Sequence, residues 1–160
     1  MTPFTLLHVL LSLVGIFSGF VVVFGFLNAK NLIGWTAVFL ATTLATSVTG
    51  FLFPFHKLLP SHVLGVLSLI ALGVAIFALY RRRLAGRWHR TYVVTTVLAL
   101  YFNVFVLVAQ LFMKVPALKA MAPTQTEMPF KTAQLAVLVL FVALGVFAAK
   151  GFRGEARQLA

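Results

Sequence analysis

Three of the four histidines in this sequence are its best candidates for chemistry. His8, His56 and His62 lie near the ends of apolar stretches that would reach one side of a bilayer. Neutral imidazole binds haem iron, copper or zinc, and it transfers a proton near neutral pH. The chain contains no cysteine and no aspartate, so a metal ion on these histidines would need a further ligand. The nearest candidates are Met121, Glu127 and Met128. The alternative is three ordinary interfacial histidines, hydrogen-bonded to backbone or lipid head groups.

Two of these histidines occupy matching places in an internal repeat. The interval from histidine to glycine is eleven residues both from His8 to Gly19 and from His62 to Gly73. A two-fold axis along the membrane normal would put the two imidazoles at one depth, as the axial ligands of a b-type haem require. Room for the macrocycle would come from Gly15, Gly19, Gly65 and Gly73. The same glycines favour close helix packing without a cofactor, so haem, a metal ion, a quinone and a purely structural role stay open.

Polar side chains concentrate on two of the predicted helices. The second helix carries Thr42, Thr43, Thr46, Ser47 and Thr49, and the fourth carries Tyr92, Thr96, Asn103 and Gln110. Such groups are costly against acyl chains, so we expect them to face the interior of a bundle. They would form either hydrogen bonds between helices or the wall of a polar path or pocket.

Motifs of independent catalysis are missing from the sequence. No phosphate-binding loop, dinucleotide fingerprint, zinc-protease helix or nucleophile elbow occurs. The chain has two acidic residues, Glu127 and Glu155, and both fall outside the apolar stretches. Ion-coupled transporters usually hold a titratable group inside the bilayer. An enzyme and a coupled pump are therefore disfavoured.

The composition predicts that these residues lie in a membrane protein. Of the 160 residues, 62% are hydrophobic and 9% are charged, which leaves too little polar surface for a water-soluble domain. Five stretches contain no charged residue: about 4–27, 32–55, 61–80, 91–113 and 132–149. Each is near the ~20 residues that a helix needs to cross the hydrocarbon core. The sequence predicts an all-α, polytopic integral membrane protein with five transmembrane helices.

The repeat predicts how these helices are arranged in a single transmembrane domain. Besides the histidine spacing, the interval from tryptophan to a threonine pair is seven residues after both Trp35 and Trp88. Helices one to four then form two tandem two-helix repeats, and helix five is appended. The predicted segments are repeat A at about 4–55, repeat B at about 61–113, an outer loop at 114–131, helix five at 132–149 and a tail at 150–160. The loop is either a lid over the outer face or a linker at the membrane interface, and Thr124 and Glu127 have capping-box spacing.

The net charge of +11 comes from Lys and Arg residues, and their distribution indicates how the chain is oriented in the membrane. With the N-terminus outside, nine of the 13 Lys and Arg residues lie on the inner side, as the positive-inside rule expects. Five of them form one cluster: Arg81, Arg82, Arg83, Arg87 and Arg90. This cluster could also bind anionic lipid head groups. Nucleic-acid binding is not indicated, because the chain has no basic face on a soluble domain. The prediction is a bacterial inner-membrane protein with a cytoplasmic C-terminus.

Three functional hypotheses remain from the sequence. The first is a small accessory module that binds haem, a metal ion or a quinone near the outer face. The second is an oligomeric channel or uncoupled facilitator for a small solute or ion, lined by the polar faces of helices two and four. The third is a structural subunit whose glycine faces pack on other membrane-protein subunits or on a second copy of the chain.

Overall fold

The computed structural model describes residues 2–53 and 60–152. The protein is all-helical, at 85% helix, and the described residues contain no strand. The helices are α1 (Pro3–Leu27), α2 (Ile33–Phe51), α3 (Pro60–Ile76), α4 (Trp88–Lys114), α5 (Pro116–Met121) and α6 (Met128–Gly151), and a π-helical turn (Phe77–Arg81) continues α3. Five of them, including α3 with its π turn, are long and apolar enough to span a membrane. The predicted fold class is therefore confirmed; the two-helix repeats stay a prediction.

Local sequence explains the tight hairpin of α1 and α2. Asn28 ends α1, and the backbone N–H of Lys30 donates to the carbonyl of Gly25 at 2.9 Å. Between them Ala29 has a φ of 55°, the left-handed conformation that closes helix C-termini and usually takes glycine. The next helix starts five residues after Asn28, so α1 and α2 run antiparallel and pack side by side.

The segment 114–131 differs from its prediction. It holds the short helix α5, and α6 begins at Met128, four residues before the predicted start. Pro129 lies in the first turn of α6, where proline removes no helical hydrogen bond. The predicted start was too late because it was taken from the charge-free run after Lys131. The expected capping box forms in part. Glu127 accepts from the N–H and the hydroxyl of Thr124, but Glu127 itself is the residue before the helix.

The first four long helices form a ring that α6 flanks on one side. Around the ring, α1 contacts α2, α2 contacts α3, α3 contacts α4, and α4 contacts α1; α6 packs against α1 and α4. The shared core is fully buried aromatic and aliphatic side chains, among them Phe26, Phe39, Tyr92 and Leu100. The outward faces are apolar as well, as on α6, where Val139 and Phe147 are largely exposed. Apolar groups both inside and outside are what a helix bundle in lipid requires.

Candidate functional site: a polar column inside the bundle

Buried polar side chains in the bundle interior connect α2 to the other three helices of the ring. We call this set the polar column; its members are His8, Thr36, Thr43, Thr46, Ser47, Thr49, Ser68, Tyr92, Thr96 and Asn103. All are buried except His8 and Thr49, which are half-buried. The column follows α2 from its first turn to its last, because five of its residues come from that helix.

The centre of the column is an amide–hydroxyl pair. Asn103 Nδ2 on α4 donates to Thr43 Oγ1 on α2 at 3.2 Å, and both side chains are buried. The backbone of α1 comes close at the same level, since a Cβ placed on Gly15 would lie 3.1 Å from Thr43 Oγ1. Three helices therefore meet around one hydrogen bond near the middle of their lengths.

The two ends of the column carry further pairs. Towards the start of α2, the Thr36 and Tyr92 hydroxyls lie 3.2 Å apart and are fully buried. The rings of Phe26 and Phe152 pack around that tyrosine, with centroids 5.3 and 6.2 Å from its own. A buried tyrosine hydroxyl needs such a partner. The pair joins α2 to α4 a second time.

At the other end, α2 bonds to α1 and α3. His8 Nδ1 and Thr49 Oγ1 lie 2.8 Å apart, and the Phe53 ring packs against the imidazole in a T-shaped arrangement with centroids 5.1 Å apart. Two residues earlier on α2, Ser47 Oγ donates to Ser68 Oγ at 3.4 Å, a long contact for two hydroxyls. His8 thus links α1 to α2 within the polar column.

Two hydroxyls in the column have no hydrogen-bond partner among the described residues. These are Thr46 Oγ1 and Thr96 Oγ1, on α2 and α4. A third buried atom of this kind is Gln134 Oε1 on α6, whose Nε2 donates to the Phe105 carbonyl at 3.1 Å. An unpaired buried polar atom costs roughly 1–3 kcal/mol. Such atoms mark the places where a small polar molecule would gain most by binding.

The glycines of the predicted cofactor face differ from one another. A Cβ on Gly19 would lie 2.6 Å from Leu100 and 2.9 Å from Phe39, and one on Gly65 would lie 3.0 Å from the Phe51 ring. Protein side chains therefore fill the clearance predicted for a macrocycle at these positions and at Gly15. Gly73 is open, with nothing within 4 Å of its Cβ position.

The histidines predicted as ligands lie at one end of the bundle. His8 and His62 both pack on the last turn of α2 and the residues after it, His62 through the Phe51 ring at a centroid distance of 5.9 Å. His56 lies outside the described residues. Within the residues that the structure describes, no three His, Cys, Asp or Glu side chains form a group that could hold a metal ion. Binding of a cofactor by His8 and His62 stays a prediction.

Two predicted pathway residues, Thr42 and Gln110, do not belong to the polar column. Thr42 is half-buried, and its hydroxyl donates to the Val38 carbonyl of its own helix at 2.7 Å. Gln110 is half-buried too, and its side chain makes no hydrogen bond to the described residues. Sequence reasoning missed Thr36 and Ser68. Thr36 could have been found, because it lies seven residues before Thr43 and so on the same helical face; a single serine in α3 gave no such signal.

The arginine cluster lies where α3 ends and α4 begins. The Arg82 guanidinium stacks on the Trp88 ring at 5.1 Å, and His89 Nδ1 lies 2.5 Å from the Gly86 carbonyl. Arg87 and Arg90 line a cleft of about 290 Å³. Arg81, Arg83 and Arg87 are exposed and Arg90 is half-buried, so the cluster faces outward from the bundle.

Comparisons with protein-family models, curated proteins and solved structures give no match for this chain.

Proposed function

We propose that this chain is a small multi-pass membrane protein without catalytic chemistry of its own, acting as an accessory or structural subunit. The observation that carries the proposal is the pairing inside the polar column. Its hydrogen bonds join α2 to α1, α3 and α4, so these polar groups hold the helices together. A bundle fixed in this way presents a constant outer surface to a partner.

The proposed contact surface is the outward face of α6. This helix packs against α1 and α4 on one side only, and the opposite side exposes large apolar residues such as Val139 and Phe147. A neighbouring helix of another subunit, or of a second copy of the chain, would cover that face by van der Waals packing. The proposed setting is a bacterial inner membrane with the N-terminus outside, in keeping with the distribution of Lys and Arg.

Site-specific photo-crosslinking in native membranes tests this proposal. A photoreactive residue at position 139 or 147 on α6 should give one discrete protein adduct. The same residue at position 66 or 70 on α3 is the matched control, because Val66 and Ile70 are similarly exposed apolar residues. Adducts with lipid alone at all four positions would contradict the proposal, and equal protein adducts at all four would remove α6 as the surface.

The cofactor-binding form of this proposal puts haem, a metal ion or a quinone at the outer end of the bundle. It is supported by His8 and His62 packing on the same end of α2. Reduced-minus-oxidised spectra of the wild type, His8→Ala and His62→Ala proteins test the haem version. A band in the wild type that both substitutions remove would support it. A colourless wild type from haem-sufficient cells would exclude it.

A channel or uncoupled facilitator is the second candidate, and the two unpaired hydroxyls of the column favour it. Thr46 lies three residues after Thr43 on α2, Thr96 lies seven residues before Asn103 on α4, and each could hydrogen-bond a passing polar solute. Flux of water, glycerol and potassium into liposomes tests this function. A rate above that of protein-free liposomes, altered by Thr96→Val, would support a facilitator. Equal rates would exclude it for these solutes.

A further inference from the structure

Two surface depressions lie next to each other near the start of α4. The cleft of about 290 Å³ is lined by Arg87, Arg90, Thr91, Val94 and Thr95. A groove of about 360 Å³ runs between α4 and α6, and Val94 belongs to its lining as well. Because Val94 lines both, the cationic cleft and the groove adjoin at that residue.

The cleft is positive, and no carboxylate among the described residues lies near it. Arg87 precedes the first turn of α4 and Arg90 lies in that turn, where the helix dipole adds positive potential. The one acidic side chain of the described residues is Glu127, before α6 at the opposite end of the bundle. Guanidinium groups bind phosphate through paired hydrogen bonds. The cleft therefore fits a phosphate group.

The groove is apolar over most of its length. Its walls are chiefly valine, leucine and phenylalanine side chains: Val97, Leu98, Leu138, Phe141, Val142 and Val146. Gly145 widens the groove, because it carries no side chain. From Val94 to Tyr101 the groove follows α4 for two turns, about 10 Å along the helix axis. This shape suits a hydrocarbon chain that enters the bilayer beside the cleft.

We infer that this site binds an anionic phospholipid, with its phosphate on Arg87 and Arg90 and one acyl chain in the groove between α4 and α6. The groove alone would accept the chain of any lipid. Selectivity comes from the two arginines, since a zwitterionic head group brings its own cation beside the phosphate. Thr95 contributes little to recognition, because its hydroxyl donates to the Thr91 carbonyl at 2.8 Å. Basic pockets between spanning helices are known sites for anionic head groups.

Lipid titration of the purified full-length protein tests the head-group half of this inference. In native mass spectrometry, phosphatidylglycerol should remain bound at concentrations where phosphatidylcholine is lost, and it should raise the melting temperature more. The double variant Arg87→Gln/Arg90→Gln should weaken phosphatidylglycerol binding by roughly tenfold or more, because hydrogen bonds to charged groups are lost. Arg81→Gln/Arg83→Gln is the matched control; it removes the same charge outside the cleft and should leave the affinity near wild type.

A second pair of variants tests the acyl-chain half. Gly145→Leu fills the groove and should lower phosphatidylglycerol affinity as the arginine variant does. Gly73→Leu is its control, since Gly73 also has open space around it but lies on α3, away from the groove. Glycerol phosphate, the head group without chains, should bind far more weakly than the intact lipid.

Several results would overturn the inference. Equal binding of phosphatidylglycerol and phosphatidylcholine by the wild-type protein would contradict it. This result does not depend on whether the arginine variants insert into the membrane. Equal losses in the two double arginine variants would show a diffuse surface charge. Wild-type affinity in Gly145→Leu would remove the groove. Glycerol phosphate binding as tightly as the lipid would leave a phosphate site only.

Discussion

At the scale of single residues, the amide of Asn103 gives the sharpest prediction. Asn103→Leu removes the donor to Thr43, a fully buried hydroxyl. Hydrogen bonds between membrane helices contribute about 0.6 kcal/mol on average and up to about 1.7, so we expect a lower melting temperature in detergent. Gln110→Leu is the matched control, because that amide lies on the same helix without a bond to the described residues. Equal losses in the two variants would contradict this role of Asn103.

The same variant separates the structural proposal from the facilitator. If the Asn103 amide only joins α4 to α2, liposome flux should be the same with and without the substitution. A variant of unchanged melting temperature that loses a wild-type flux would instead assign Asn103 to a permeation path. That result would contradict the proposal that Asn103 only holds the helices of an accessory subunit together.

Residue chemistry explains which members of the polar column could be predicted. Asn103 was predictable as an interior residue because an amide has several hydrogen-bonding groups and cannot bond them all within its own helix. A single hydroxyl can donate to the carbonyl three or four residues earlier, as Thr42 does. Ser68 therefore carried no sequence signal that it would bond across helices, and the place of Thr36 on the helical face of Thr43 did not identify its partner. Their partners depend on how the helices rotate against one another.

At the scale of helices, two glycines at matching sequence positions have different surroundings. Gly19→Ala should destabilise the bundle by roughly 1–3 kcal/mol, the usual cost of overpacking, because the new methyl would lie 2.6 Å from Leu100 and 2.9 Å from the buried Phe39 ring. Gly73→Ala meets nothing within 4 Å and should be neutral or stabilising through helix propensity. Melting temperatures in detergent measure both, and a loss in Gly73→Ala as large as in Gly19→Ala would contradict the packing argument.

Helices could be predicted from the sequence more reliably than their ends and contacts. Apolar runs of about 20 residues specify spanning helices because each backbone must satisfy its own hydrogen bonds in lipid. Charge-free runs do not mark helix ends. The predicted start of α6 was placed after Lys131, whereas the helix begins at Met128. The difference between Gly19 and Gly73 was equally hidden, because spacing along a helix does not say which neighbour lies against it.

The turn before α6 should respond to pH. Burial acts to raise the pKa of Glu127, but hydrogen bonds from the Thr124 side chain and from backbone N–H groups outweigh it, and the pKa lies below its ordinary value of 4.5. The carboxylate therefore stabilises the turn fully above pH 4.5, and this contribution disappears as the pH falls through the lowered pKa. Hydrogen exchange at the Thr124 and Thr126 amides, corrected for its intrinsic pH dependence, should show protection lost in that window. Glu127→Gln should show no such window; an identical loss in that variant would exclude Glu127 as the cause.

At the scale of the whole molecule, the neighbours of the ring helices follow the pattern that a two-fold axis would produce. Such an axis exchanges α1 with α3 and α2 with α4, and every contact around the ring then has a counterpart. The helix α6 has no counterpart and packs across the α1–α4 side. The repeat stays a prediction, because equal neighbours do not establish equal geometry, and the pairs along the column do not repeat: Asn103 corresponds to Gly50 in the other copy.

Orientation in the membrane is the prediction that belongs to the whole chain. With five spanning helices the two ends lie on opposite sides, and the basic residues at the α3–α4 connection should hold that connection in the cytoplasm. A reporter fused after Ala160 should therefore be cytoplasmic, and one inserted at 117–126 should be outside. Neutralising the five arginines of the α3–α4 connection should scramble insertion, whereas neutralising Lys114, Lys119 and Lys131 should not. Both reporters on one side of the membrane would eliminate the five-span arrangement. Reversed sides would keep the fold and move the arginine cleft, together with its lipid, to the outer leaflet.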